Sequence, residues 1–128
     1  MRLIIGMSGA SVVIYGIRLL EVLSRVEQVE THLVLSDSAK LNIAIETDRN
    51  AREVQALADE VYSNKDIAAR LASGSFKTDG MIVAPCAVKT LSAIANSYAD
   101  SLLVRAADVV LKERRRLVLV PRETPLHT

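Results

Sequence analysis

The residues of this chain that could do chemistry gather in a few short stretches, most of them following an apolar run. Residues 4–11 read IIGMSGAS, so Gly6, Ser8, Gly9 and Ser11 stand between an apolar run and a helical pattern. A turn of this kind brings unpaired backbone N–H groups and the positive end of a helix dipole to one point, which favours an anion. It is not the dinucleotide fingerprint, because the third glycine is absent and position 12 is Val, and no Gly-Lys-Ser/Thr follows to make a P-loop. The spacing alone fits a phosphate cradle and a tight structural turn equally well. Residues 84–91, APCAVKTL, form a second turn of the same type, in which Lys89 and Thr90 could reach a phosphate or a ring carbonyl. A solvated Lys89 is the plainer alternative. Cys86 has no histidine near it in sequence to activate it and reads as a small buried thiol.

Farther along, Arg105, Lys112 and Arg122 form a set of cations separated by one helix and one strand, and Glu123 follows Arg122 directly. A carboxylate beside cations is suited to exchanging a proton with a bound phosphate. The run KERRR, 112–116, closes a helix, where each cation gains about 0.3–1 kcal/mol from the dipole, so Arg114 to Arg116 read as a solvated helix end. His32 and His127 lie far apart, without carboxylate or cysteine neighbours at ligand spacing, and His32, inside a strand pattern, reads as structural.

The elements that must position these residues follow from periodicity. Strands are expected at Leu3–Ile5, Thr31–Ser36, Met81–Cys86 and Leu117–Pro121, each rich in aliphatic side chains. A helix is expected from Ser11 to about Arg25, with Val12, Ile14, Ile17, Leu20 and Leu23 on its apolar side. Residues 37–47, 50–62 and 64–74 read as helical, 73–80 as a loop, and 88–115 as helical with a break near Asn96 and Ser97. Strands alternating with helices predict an α/β sandwich around a parallel sheet with right-handed crossovers. Ligands of such sheets sit beyond the carboxyl ends of the strands. Here Gly6–Ser11, Ser36, Pro85–Thr90 and Pro121–Pro125 would gather on that one edge.

Composition bounds the rest. The 128 residues make a single domain, 1–128, with 50% apolar but only 3% aromatic residues, so the core is aliphatic and no tryptophan is there to stack on a ligand. Sixteen basic against fifteen acidic residues leave a net charge of +1, which gives no electrostatic surface for nucleic acid. No apolar stretch approaches the ~20 residues that cross a bilayer, and the short N-terminal run enters a glycine turn, unlike a signal peptide. One cysteine excludes an internal disulfide and a multi-cysteine metal site. A cytoplasmic, metal-free domain without membrane or nucleic-acid partners is expected.

SGAS, ETHLVLS, SGSFKTDGMIVAPC, the block from Lys89 to Arg115 and LVLVPRETPLH together resemble the flavin prenyltransferases, the UbiX-like flavoproteins that serve aromatic-acid decarboxylases. The resemblance covers essentially the whole chain. It implies a three-layer Rossmann-like, flavodoxin-type sandwich with a mainly parallel sheet, C-terminally short relative to the family. It implies a homo-oligomer built from trimers into a dodecamer, with the flavin between subunits. The implied reaction joins the dimethylallyl group of dimethylallyl monophosphate to reduced FMN without metal, giving prenylated FMN for a separate UbiD-like decarboxylase. By resemblance Gly9, Ala10, Ser11 and Ser36 hold the flavin, with Ala87, Val88, Lys89, Thr90 and Arg122. Arg105, Lys112 and Arg122 receive the allyl phosphate, and Glu46, Lys112 and Glu123 carry the catalytic roles, the two carboxylates governing protons.

Two positions depart from the family pattern. The family reads Ser-Gly-Ala-Ser-Gly where this chain has Val12 last, and Pro-Cys-Ser where it has Ala87. A β-branched residue restricts the first turn if φ > 0 is needed there, and Ala87 offers only its backbone. A non-catalytic FMN-binding module and an inactive subunit therefore stand as alternatives to the enzyme.

Overall fold

The sheet is built around its first strand. In the computed structural model, which describes residues 1–9 and 12–121, β1 (Arg2–Met7) is followed by α1 (Ile14–Leu23), β2 (Glu30–Leu35), α2 (Asp37–Glu46), α3 (Ala51–Gln55) and β3 (Glu60–Ser63). After a single 3₁₀ turn at Arg70–Ala72 come β4 (Gly80–Cys86), α4 (Val88–Ala95), α5 (Leu102–Lys112) and β5 (Arg116–Pro121). The strand order is β3-β2-β1-β4-β5, and every pairing is parallel. The chain winds outward from β1 to β3, then returns to the other side of β1 for β4 and β5. The order thus reverses between β1 and β4, where open α/β sheets leave a crevice.

Both faces of the sheet are covered, which is why its inner strands are almost uninterrupted aliphatic runs. Ile5, Met7, Leu33 and Leu35 face Ile17 and Leu20 of α1, Ala39 and Ile43 of α2 and Val54 of α3. Ile4, Val34, Met81 and Val83 face Leu102, Leu103, Ala106, Ala107 and Val110 of α5, with Leu71 of the 3₁₀ turn beside them. The α/β sandwich expected from the alternation is observed, with the three layers that the resemblance implies.

Three element boundaries differ from the sequence reading. Residues 50–62 are not one helix: only Ala51–Gln55 is helical, started by a capping box between Asn50 and Glu53. Glu60–Ser63 then becomes a fifth strand, pairing with His32–Leu35. Tertiary pairing at the open edge of β2 overrides a weak helical pattern there. Residues 64–74 are turns apart from the 3₁₀ segment, which buries Leu71 and leaves Ile67 exposed. The first helix begins at Ile14 rather than Ser11, because Val12 has φ 68°, the left-handed region, which no α-helix can include. The break near Asn96 and Ser97 is observed, with Ser97 at φ 55°. No helix among the described residues is long and apolar enough to cross a membrane.

Candidate functional site

The turns after β1 and β4 are latched to each other. The buried Ser8 donates its backbone N–H to Pro85 O at 3.1 Å, and its Oγ accepts the N–H of Ala87 at 2.7 Å. The two glycines of this region answer to close approach by other parts of the protein. A Cβ on Gly9 would lie 2.1 Å from Ser38 Cβ, in the first turn of α2, and one on Gly16 would lie 2.2 Å from Ala84 O. A side chain at either position would push a helix off the sheet's carboxyl edge.

Above these turns lies a cleft of about 350 Å³, whose lining includes Gly9, Ser36, Ser38, Ala87, Lys89 and Thr90. Five of the expected flavin residues, Gly9, Ser36, Ala87, Lys89 and Thr90, therefore share one hollow. Val88 is 59% exposed and does not line it. Ala10, Ser11, Arg122 and Glu123 lie outside the described residues. Asn64, Asp100 and Ser101 complete the rim, and Ala93 and Val104 add apolar carbons.

The helix starts around the cleft are satisfied unequally. Ser36 caps α2 by accepting from Ala39 N, and Ser101 caps α5 by accepting from Val104 N. Asn64 adds two more acceptors for α5, its backbone O taking Leu102 N at 2.9 Å and its Oδ1 taking Leu103 N at 2.8 Å. Helix α4 instead starts at Ala87, which supplies no side-chain cap. Its first-turn donors, with the exposed ammonium of Lys89 and the Thr90 hydroxyl, suit a phosphate. With the apolar carbons of Ala87, Ala93 and Val104 beside them, they fit a phosphorylated ring compound such as FMN.

The remaining expected residues are placed elsewhere. Glu46, at the end of α2, is exposed, and its Oε1 accepts from Val12 N at 2.8 Å and Val13 N at 3.1 Å. It satisfies the start of α1 and does not line the cleft. A β-branched residue held at φ 68° costs of order 1–3 kcal/mol, and this carboxylate is fixed to the strained backbone. Arg105 and Lys112 lie two turns apart on one side of α5, both exposed and both away from the cleft, with Lys112 Nζ 2.9 Å from Asp108 Oδ2. Cys86 is fully buried, and burial raises its thiol above the ordinary range, in keeping with a structural role. Among the described residues no three His, Cys, Asp or Glu side chains stand close enough to hold a metal ion.

Sequence reasoning missed Ser38, Asn64, Asp100 and Ser101. Asn64 follows β3, the strand that was read as helix, so its place at a strand end was hidden. Ser101 carries a recognisable signal, a serine immediately before an apolar helical run.

Known proteins share this arrangement. The Flavoprotein family model matches residues 1–125. The chain is 62% identical over 126 residues to the flavin prenyltransferase UbiX of Escherichia coli (strain K12), covering 98% of this chain and 67% of that protein. A crystal structure of a dodecameric FMN-dependent UbiX-like decarboxylase from Escherichia coli O157:H7 superposes with a TM-score of 0.97 at 57% identity, over 100% of this chain and 69% of that one. The crystal structure of AnUbiX (PadA1) in complex with FMN and dimethylallyl pyrophosphate gives 0.95 at 53% identity, over 98% and 66%. The chain thus spans about two thirds of the length of these relatives. The chain belongs to the flavoprotein family, among the UbiX-type flavin prenyltransferases.

Proposed function

We propose that this chain forms the flavin-binding part of an enzyme that joins the dimethylallyl group of dimethylallyl monophosphate to reduced FMN. The product, prenylated FMN, would pass to a UbiD-like aromatic-acid decarboxylase. The observation that carries this reading is the convergence of Gly9, Ser36, Ala87, Lys89 and Thr90 on one cleft, beside the uncapped start of α4. That start, including the backbone N–H of Val88, and Lys89 hold the flavin phosphate, and Ala10, Ser11 and Arg122 complete the grip. Bound FMN supplies the electron-rich ring that takes the allyl group. Arg105 and Lys112, which stand away from the cleft of their own copy, would meet the allyl phosphate from a neighbouring copy, with Arg122 completing the fixed cations that stabilise the departing dianion. Glu46 and Glu123 move protons.

Assembly into a homo-oligomer follows the dodecameric relative. Leu41 and Ile45 of α2 are 60% and 71% exposed, more than a solitary helix of this sheet needs. A cytoplasmic location is consistent with a single free thiol.

Anaerobic incubation of the full protein with reduced FMN and dimethylallyl monophosphate should yield a flavin heavier by one dimethylallyl unit, read by mass spectrometry. Unmodified flavin from an intact, folded oligomer would remove the enzyme reading. The missing hydroxyl at Ala87 favours a second reading, a non-catalytic FMN-binding module, which predicts stoichiometric flavin and no turnover.

A further inference from the structure

Helix α2 carries Ser38, Asn42 and Glu46 at intervals of four residues, so the three lie in one slanting row along it. All three meet the turn after β1. Ser38 is the side chain against which Gly9 is pressed, leaving no room for a Cβ. Asn42 Nδ2 donates to Gly9 O at 3.1 Å. Glu46 Oε1 accepts from Val12 N and Val13 N at 2.8 and 3.1 Å. The row therefore grips the turn on both sides of Ala10 and Ser11, while the next face of α2, with Ala39 and Ile43, is buried in the core. Val12 is held in the left-handed region, at φ 68°, between these contacts.

We propose that this row positions the flavin turn, with Asn42 as a positioning residue and Glu46 acting first as an acceptor for backbone N–H groups. The inference rests on the flavin site described above. α2 anchors itself to the sheet through Ala39 and Ile43 and lays the turn out along its polar side. The left-handed geometry at Val12 persists because the donors at Val12 and Val13 are both engaged by one oxygen. Glu46 needs only that acceptor oxygen for this task, which a glutamine also has, whereas proton transfer needs the carboxylate. Positioning and chemistry at residue 46 are thereby separable.

The test measures FMN affinity of the full-length protein by flavin fluorescence for N42A, E46A, E46Q and the double variant E46A with Val12→Gly. Loss of one ordering contact should weaken binding about tenfold in N42A and in E46A. E46Q should bind within about threefold of the parent because its amide oxygen still accepts. Val12→Gly, which adopts φ > 0 freely, should recover most of the loss in E46A. Hydrogen exchange at the Val12 and Val13 amides, without flavin, gives a second measurement: protection in the parent and in E46Q, loss of it in E46A. If E46A and N42A bind as tightly as the parent, or if E46Q is as weak as E46A, the positioning role is overturned. If the parent itself takes up no FMN, it is the reading of the site that fails, and the exchange result still decides whether the row holds the turn.

Discussion

The two edges of the same sheet handle polar side chains in opposite ways. At the amino edge His32 is completely buried, yet both ring nitrogens are engaged: Nε2 lies 2.5 Å from Glu30 Oε1 and Nδ1 2.9 Å from the Tyr62 hydroxyl. A carboxylate only accepts, so with the ring neutral Nε2 carries the proton and Nδ1 accepts from Tyr62. The Tyr62 oxygen in turn accepts from Arg70 Nε at 2.7 Å, while Arg2 bonds Glu30 at 3.1 Å. Both guanidiniums also stack over Phe76, at 4.4 and 4.7 Å from its ring centre. Each polar group of this His32 cluster is answered by another side chain. At the carboxyl edge the start of α4 has no side-chain cap, and Lys89 makes no ion pair among the described residues. A closed network stabilises a fold; an open one is fitted to receive something.

That contrast can be broken most sharply at His32. H32A removes a buried ring and takes one hydrogen bond each from Glu30 and Tyr62, which keep only Arg2 and Arg70, and this should cost about 3 kcal/mol in denaturant unfolding. FMN affinity per folded molecule should stay unchanged, and a fall in affinity would join the two edges functionally. Next in size, K89A should weaken FMN binding by roughly 10–100-fold, the range of a charge-assisted bond to phosphate, with little change in melting temperature.

The acid limb of stability sharpens the comparison further. The hydrogen bonds from His32, then from Arg2, hold the Glu30 carboxyl below its ordinary value of 4.5. A carboxyl whose folded value is depressed stabilises the protein above the unfolded value, so this contribution is full above about pH 4.5 and is lost as pH falls through the folded value. E30Q should lower the melting temperature slightly near neutrality, where the contribution is full, and flatten its fall in the acid window, the two profiles converging at the lowest pH. The smallest effect is expected from A87S. A serine at the start of α4 would add the cap that Ala87 lacks, raising stability by about 1 kcal/mol in denaturant titrations. The same hydroxyl would compete for, or join in, phosphate binding, so flavin affinity should move by less than in K89A.

Much of this was legible in the residues. The aliphatic runs locate β1, β2, β4 and β5, and Gly9, Ser36, Ala87, Lys89 and Thr90 do meet at one edge, because a parallel α/β sheet allows few alternatives; Ala10, Ser11 and residues 122–125 lie outside the described residues. Val12 was recognised as a misfit if the turn required φ > 0, and it does have φ 68°. β3 was not legible, since Glu60–Ser63 is short and half-exposed and owes its conformation to the free edge of β2. With it went Asn64, whose value as a double cap depends on a helix 38 residues later in the chain. Glu46 was read for its acidity, and what its oxygen holds in the folded chain is backbone, a contact across 33 and 34 positions that no local pattern reveals.

Ser8 pins the middle of the cleft floor by fastening one turn to its neighbour across two strands. The segment 96–99 between α4 and α5, short of the rim residues Asp100 and Ser101, takes no part in that latch and can change length without tilting what lies beneath. Anyone wishing to admit a bulkier allyl donor should begin with that outer span, and leave residues 84–90 alone.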